Sequence, residues 1–302
     1  MKFPALPKNN ALTIGIRGQS KYGKTYLSNT FNTIPNSVVA DTHRTRSTVE
    51  TMKILNNSKL RRIRTFDELD SMATEFAVEY KPNSSFVLDS GSDIVNLAML
   101  KYKEQHGKNP FEFTWQTVWD YIKTFMETVT GSGNDLILTL MMKRRRNEQG
   151  EIIPGVWQAH EWKDLEYHAS AMFSLQRGVQ IGQKLWFPYR IFVKVDSNRF
   201  SPIGSTKPMI VGSFTRPNVL EQLQHEYRGT IKDVLNEYYH SLYDSEYNND
   251  VRFCRDIKEL LGPELKEADS VDDLVGDKHE KPVQQTEDEL IISSENRDSM
   301  EI

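Results

Sequence analysis

The chain has almost no cysteine: Cys254 is the only one in 302 residues. No internal disulfide can form, so stability has to come from an apolar core, as expected in a reducing, cytoplasmic setting. Long apolar runs are missing too. None approaches the roughly 18 residues that a spanning helix needs, so no membrane partner is expected. The opening MKFPALPKNN lacks the apolar core of a secretion signal. Metal-ligand spacing is also absent. HEWKDLEYH brings His160, Glu161 and His168 close together, but without the H-E-x-x-H pattern or a cysteine pair.

A marked excess of either charge is lacking as well, with a net charge of −4. That figure hides an uneven distribution. From Glu264 to Ile302 there are 13 acidic residues against 4 Lys and Arg, which leaves the first 263 residues near +5. The acidic end is poor in aromatics and contains Ser and Gln, the composition of a disordered tail. The remainder, with 38% hydrophobic and 10% aromatic residues over the whole chain, has enough apolar surface for a core.

After residue 11 the pattern alternates between strand and helix. ALTIGIR, NSVVADT and SSFVLDS are short β-rich runs. TFDELDSMATEFAVEY has helical spacing, placing Phe66, Leu69, Met72, Ala73 and Phe76 on one face. FTWQTVWDYIKTFMETVTG is a helix closed by a glycine, with Trp115 and Trp119 on its core side. DLILTLMM is continuously apolar, as a strand buried on both faces should be. This rhythm predicts an α/β fold with a mainly parallel sheet flanked by helices. Beyond it, KRRRNEQGEIIPGVW reads as an exposed hairpin or loop, RIFVKVDSNRF and KPMIVGSF as later edge strands, and PNVLEQLQHEYRGTIKDVLNEYYHSLY as helical.

The most specific signal lies between the first strand and the first helix. Gly18-Gln19-Ser20-Lys21-Tyr22-Gly23-Lys24-Thr25 satisfies G-x-x-x-x-G-K-[ST], and Tyr26 continues into the helix. Such a loop wraps backbone N–H groups around phosphates, and the helix that follows aims its positive end at them. Lys24 would reach the β- and γ-phosphates of ATP, and the Thr25 hydroxyl would hold Mg²⁺. Asp89, ending FVLD, is the second acid that positions the metal. Asp93 belongs to the start of the next helix. Asp41, ending SVVAD, either orients the attacking water or forms a turn.

This order of motifs resembles the RecA-like ATPases. It is most similar to short, core-only RecA relatives carried by phages, known as phage nucleotide-binding or AAA-type proteins. The resemblance runs over about residues 10 to 200 and rests on GQSKYGKT, FVLDSGS and DLILTLMMKRRR. It implies a RecA-like P-loop NTPase fold, ATP hydrolysis, homo-oligomers, and a role with single-stranded DNA in annealing and recombination. It also implies that Thr139 senses the γ-phosphate and that LKYKEQHGKNPFEF forms a first DNA loop. Where the family has a glutamate base after its second strand, this sequence has Asp41.

Lys143, Arg144, Arg145 and Arg146 follow a buried strand, where α/β sheets place ligand-contacting loops. They can neutralise nucleic-acid phosphates, with Trp157 close enough in sequence to stack on a base; they can equally be a solvated run. Lys194 and Arg199 flank an edge strand and are candidates to reach a neighbour's nucleotide. The acidic tail is a candidate docking segment for a single-strand-binding or replication protein. The expected organisation is a P-loop ATPase domain over 1–245, a helical segment over 246–263 and the acidic tail over 264–302. A small-molecule P-loop kinase, with KRRR as its lid, and a nucleotide-gated interaction module with negligible turnover are the competing readings.

Overall fold

Strand β1 (Thr13–Gly18) runs into helix α1 (Lys24–Thr30), and β2 (Ser37–Asp41) follows. Next come β3 (Leu60–Arg62), α2 (Phe66–Glu79) and β4 (Ser85–Asp89). A single 3₁₀ turn (Gly91–Asp93) leads into α3 (Ile94–His106), α4 (Trp115–Gly131) and the long β5 (Asp135–Arg146). The chain continues through β6 (Ile152–His160), α5 (Leu165–His168), β7 (Ala171–Ile181), β8 (Lys184–Asn198), α6 (Arg216–Gln224) and α7 (Val251–Leu261). The computed structural model describes residues 11–32, 36–42, 59–107, 109–111, 114–147, 149–160, 162, 165–181, 183–200, 214–224, 232–233 and 251–262.

The described strands form one sheet in the order β3-β2-β4-β5-β1-β7-β8. Neighbours from β3 to β7 are parallel, and β8 returns antiparallel along β7. This is the mainly parallel α/β sheet flanked by helices that the sequence pattern predicts. The strand alternation explains how both faces are covered. Phe86, Leu88, Leu136, Leu138 and Leu140 point to one face and pack with α2, α3 and α4. Ile14, Ile16, Val39, Val87 and Ile137 point to the other, toward Phe31, Phe214 and α6. Gly15 belongs to the first face because a Cβ there would run into the Met172 side chain.

Helix α2 buries Phe66, Leu69, Met72, Ala73 and Phe76, the face read from its spacing. Its start is a capping box: the Thr65 hydroxyl accepts from Glu68 N–H, and the Glu68 carboxylate accepts from Arg64 N–H at 2.7 Å. Trp115 and Trp119 of α4 are partly buried against the core and stack at 5.2 Å. The stack continues from Trp119 to Trp162 at 5.8 Å, and from Trp162 to His168 at 4.9 Å.

Of the two forms the sequence allows for the KRRR run, the structure shows the hairpin: the run is the outer half of β5, paired antiparallel with β6. Its charge breaks the apolar pattern, but backbone pairing carries the strand on to the turn, where Asn147 N–H reaches Glu151 O. The expected first DNA loop is helix through His106, closed by left-handed Gly107 (φ 69°), and its Lys101 pairs with Asp67 at 2.7 Å. Strand β7, unrecognised in the sequence, lies directly beside β1. Most of KPMIVGSF, most of the helical stretch after Gln224, Glu161 and the tail 264–302 lie outside the described residues.

Candidate nucleotide site

The sheet alternation aims three polar side chains at one place. Asp41 shares its face with Val39, Asp89 with Val87, and Thr139 with Ile137, all on the side that α1 covers. Asp41 and Asp89 end neighbouring strands β2 and β4 as register partners, and Thr139 lies beside Asp89 within β5. Each is almost completely buried. Burying a carboxylate is costly unless hydrogen bonds compensate it. For Asp89 they do: Thr139 donates to Oδ1 at 2.5 Å, and Thr25, from the first turn of α1, donates to Oδ2 at 2.6 Å.

The phosphate loop closes around its own lysine. Lys24 Nζ donates to the carbonyls of Gly18 and Gln19 at 2.8 and 2.9 Å. Burial pushes the Lys24 pKa below the usual lysine value, and the neighbouring Asp89 charge opposes part of that shift. A Cβ at Gly18 would lie 3.2 Å from Leu175 Cβ and 3.3 Å from Lys24 Cγ, so a side chain there would crowd the lysine. Gly23 adopts φ 79° as the N-cap of α1, and no side chain caps the helix. The first N–H groups of α1 therefore face the loop's concavity, the arrangement that suits an anion.

Ser20, Lys21 and Tyr26 are exposed, Gln19 is half-buried, and Lys21 has φ 67°. Tyr22 lies under the guanidinium of Arg177 on β7, 5.6 Å from the ring centre. The Thr25 hydroxyl and the Asp89 carboxylate are hard oxygen donors in contact, the chemistry that suits Mg²⁺. A nucleotide and its magnesium thus fit the residues present.

Beyond Asp89, a hydrogen-bonded lattice fixes the strand end. The Asp89–Ser90 peptide bond is cis. Thr42 N–H donates to Asp89 O at 2.8 Å, and Ser90 N–H donates to the Thr42 hydroxyl, also at 2.8 Å. That hydroxyl lies 3.0 Å from Asp93 Oδ2. Asp93 does stand at the helix start, yet its side chain holds Thr42 instead of capping the helix. Thr42 was missed in the sequence because only the pairing of β2 with β4 brings it there.

Lys143 to Arg146 are all exposed on the β5–β6 ribbon, which extends past Met141, the last β5 residue paired with β1. Strand alternation puts Lys143 and Arg145 on one face and Arg144 and Arg146 on the other. Arg146 donates to Gly150 O at 2.5 Å and braces the turn. Trp157 is the register partner of Arg144 on β6. Lys194 faces Ser174 across the β7–β8 pair, and Arg199 lies over the Tyr167 ring. Among the described residues no group of three or more His, Cys, Asp or Glu could hold a metal ion.

A family model described as an AAA domain matches residues 10–167, from just before β1 into α5. That span contains the phosphate loop, Asp41, Asp89, Thr139 and the basic ribbon. No curated protein matches the chain.

Proposed function

Because the chain belongs to the AAA domain family, and so carries a nucleotide-binding P-loop ATPase domain, we propose a magnesium-dependent ATPase that acts on single-stranded DNA in phage recombination or replication. In this reading Lys24 binds the phosphates, while Thr25 and Asp89 hold the magnesium ion. The ion supplies charge neutralisation at the β- and γ-phosphates. Asp41, buried beside Asp89 at the carboxyl end of β2, orients the water that attacks the γ-phosphate. Thr139 holds Asp89 in place and senses the γ-phosphate beside it. Nucleotide binding favours assembly of copies of the chain, and hydrolysis loosens it.

The observation that carries the DNA reading is the continuity of β5. One strand holds Thr139 against Asp89 and, four to seven residues on, presents Lys143, Arg144, Arg145 and Arg146 to solvent. Four exposed cations on a projecting ribbon suit a phosphate backbone, which attracts charge without regard to base. ATP turnover measured with and without single-stranded DNA tests it. Stimulation by DNA is the expected result. DNA-independent phosphoryl transfer to a small acceptor would point to a kinase, and binding without turnover to an interaction module; either overturns the proposal.

A further inference from the structure

At the far side of the same sheet edge is a pocket of about 520 Å³, lined by Thr42, Arg62, Ile63, Arg64, Asp93, Asn96 and Leu97. A volume of this order suits a small-molecule site. It borders the outer end of the nucleotide site, since Thr42 follows Asp41 and Arg62 is the register partner of Asp41. The strands that carry them lie three and four spacings from β1, or roughly 14 to 19 Å at about 4.8 Å per spacing. Thr42 joins the two places through its bonds to Ser90 and Asp93.

The chemistry of the lining is selective. The other basic side chains nearby are engaged: Arg61 with Glu75 at 2.8 Å, Lys101 with Asp67, and Lys59 over the Tyr80 ring. Arg62 and Arg64 are exposed and make no side-chain ion pair or hydrogen bond among the described residues. Two guanidinium groups two residues apart beside a cavity suit a phosphate, because their planar donor forks match its oxygens. Asn96, exposed on the first turn of α3, adds an amide that both donates and accepts. Asp93 places a carboxylate in the same wall. Bare phosphate would meet repulsion there, whereas a ligand that also brings hydrogen-bond donors would not.

We infer that this pocket binds a nucleotide unit, with its phosphate at Arg62 and Arg64 and its base or sugar donors toward Asp93 and Asn96. Building on the DNA-acting reading, the unit is one nucleotide of the strand held by the β5–β6 ribbon. The ribbon rises from the same carboxyl edge, two strand spacings from β2. A free nucleotide carries the same chemistry and would be the source if the chain binds no DNA.

The test compares the full-length wild type, the Arg62→Ala/Arg64→Ala variant and a variant with Lys143 to Arg146 all changed to Ala. The probes are a labelled oligo(dT), thymidine 5′-monophosphate and inorganic phosphate. The Arg62/Arg64 variant should bind oligo(dT) about tenfold or more weakly and keep ATP binding, which checks its fold. The conservative Asn96→Asp variant should weaken oligo(dT) in the same direction. Wild type should favour the monophosphate over inorganic phosphate. If oligo(dT) affinity falls only in the ribbon variant, the inference is overturned while the DNA reading survives. If wild type binds the monophosphate but no oligo(dT), and the Arg62/Arg64 change abolishes that binding, the pocket stands as a free-nucleotide site and the DNA reading falls. If wild type binds neither nucleotide probe, both fail.

Discussion

Thr139 donates its hydroxyl to Asp89 across the β4–β5 pair at 2.5 Å, inside a wall where both residues are shielded from water. A hydrogen bond to a charged group contributes about 1.5–3 kcal/mol, so this bond should fix the carboxylate's position. Thr139→Val should therefore raise the Mg²⁺ concentration at which ATP binding saturates, and Asp89→Asn should abolish the Mg²⁺ dependence. Nucleotide affinity in EDTA should change little in either. Identical Mg²⁺ titrations for wild type and both variants would reduce Asp89 to a helix-start residue.

Lys24 bonds to its own loop and not to the core, so Lys24→Ala should fold normally and lose ATP binding. The wild type adds a pH signature. Burial lowers the Lys24 pKa in the free protein, so ATP affinity should begin to fall at a pH below the usual lysine range. Calorimetric titrations across alkaline pH would show it. An affinity that stays flat until an ordinary lysine titrates would contradict the burial argument.

The ribbon makes a quantitative prediction for DNA. Replacing Lys143, Arg144, Arg145 and Arg146 by Ala should flatten the slope of log affinity against log salt by roughly 0.7 for each phosphate left without its cation. Because the four alternate across the ribbon, changing only Lys143 and Arg145 can remove at most about 1.4 of that slope. The weakening should be similar for oligonucleotides of different sequence. An unchanged slope in the fourfold variant would leave the ribbon without a nucleic-acid role.

A buried pair away from the site sets a stability prediction. Asp135, at the start of β5, is fully buried, accepts from Leu12 N–H at 2.9 Å and pairs with Arg216 Nε at 2.7 Å. Burial raises its pKa, with Arg216 and the backbone bond pulling the other way. The folded chain thus holds this proton more tightly than the unfolded chain does. The resulting stability is fully present below the unfolded pKa and is lost as pH rises through the folded one. Arg216→Ala removes the opposing charge, which moves that window upward. Urea unfolding should show a loss of about 3–5 kcal/mol at pH 7, shrinking in acid where Asp135 is protonated in both proteins. Adding Asp135→Asn to Arg216→Ala should recover part of the loss, and a deficit independent of pH would refute the assignment.

How far these features were legible depends on what each one rests on. The phosphate loop is local: glycine spacing, a preceding strand and a following helix all lie within one stretch of sequence, so it could be read directly. Helix α2 was legible for a similar reason, since one helical period places all five of its core residues. Asp89 and Thr139 were visible as polar interruptions in apolar strands, but their hydrogen bond depends on β4 and β5 being neighbours. The outer half of β5 was legible only as hairpin or loop, because four cations mask a strand whose partner, β6, lies beyond a turn. Strand β7 mixes Gln176, Arg177 and Gly178 into its alternation and hides its place beside β1. Arg62 and Arg64 carry no signal in the sequence, because only the pairing of β3 with β2 sets them beside a cavity.

Three of the chain's five tryptophans share one stack, Trp115 on Trp119 on Trp162, with rings tilted by only 23° and 16°. Indoles this close share their excited state, so the chain carries an optical reporter of its own. Trp115 and Trp119 ride on α4, while Trp162 follows directly after the ribbon strand β6. The far-ultraviolet exciton signal of this stack therefore reports how the helix layer and the ribbon base sit against each other. A ligand that shifts the ribbon would alter that signal before any label is attached.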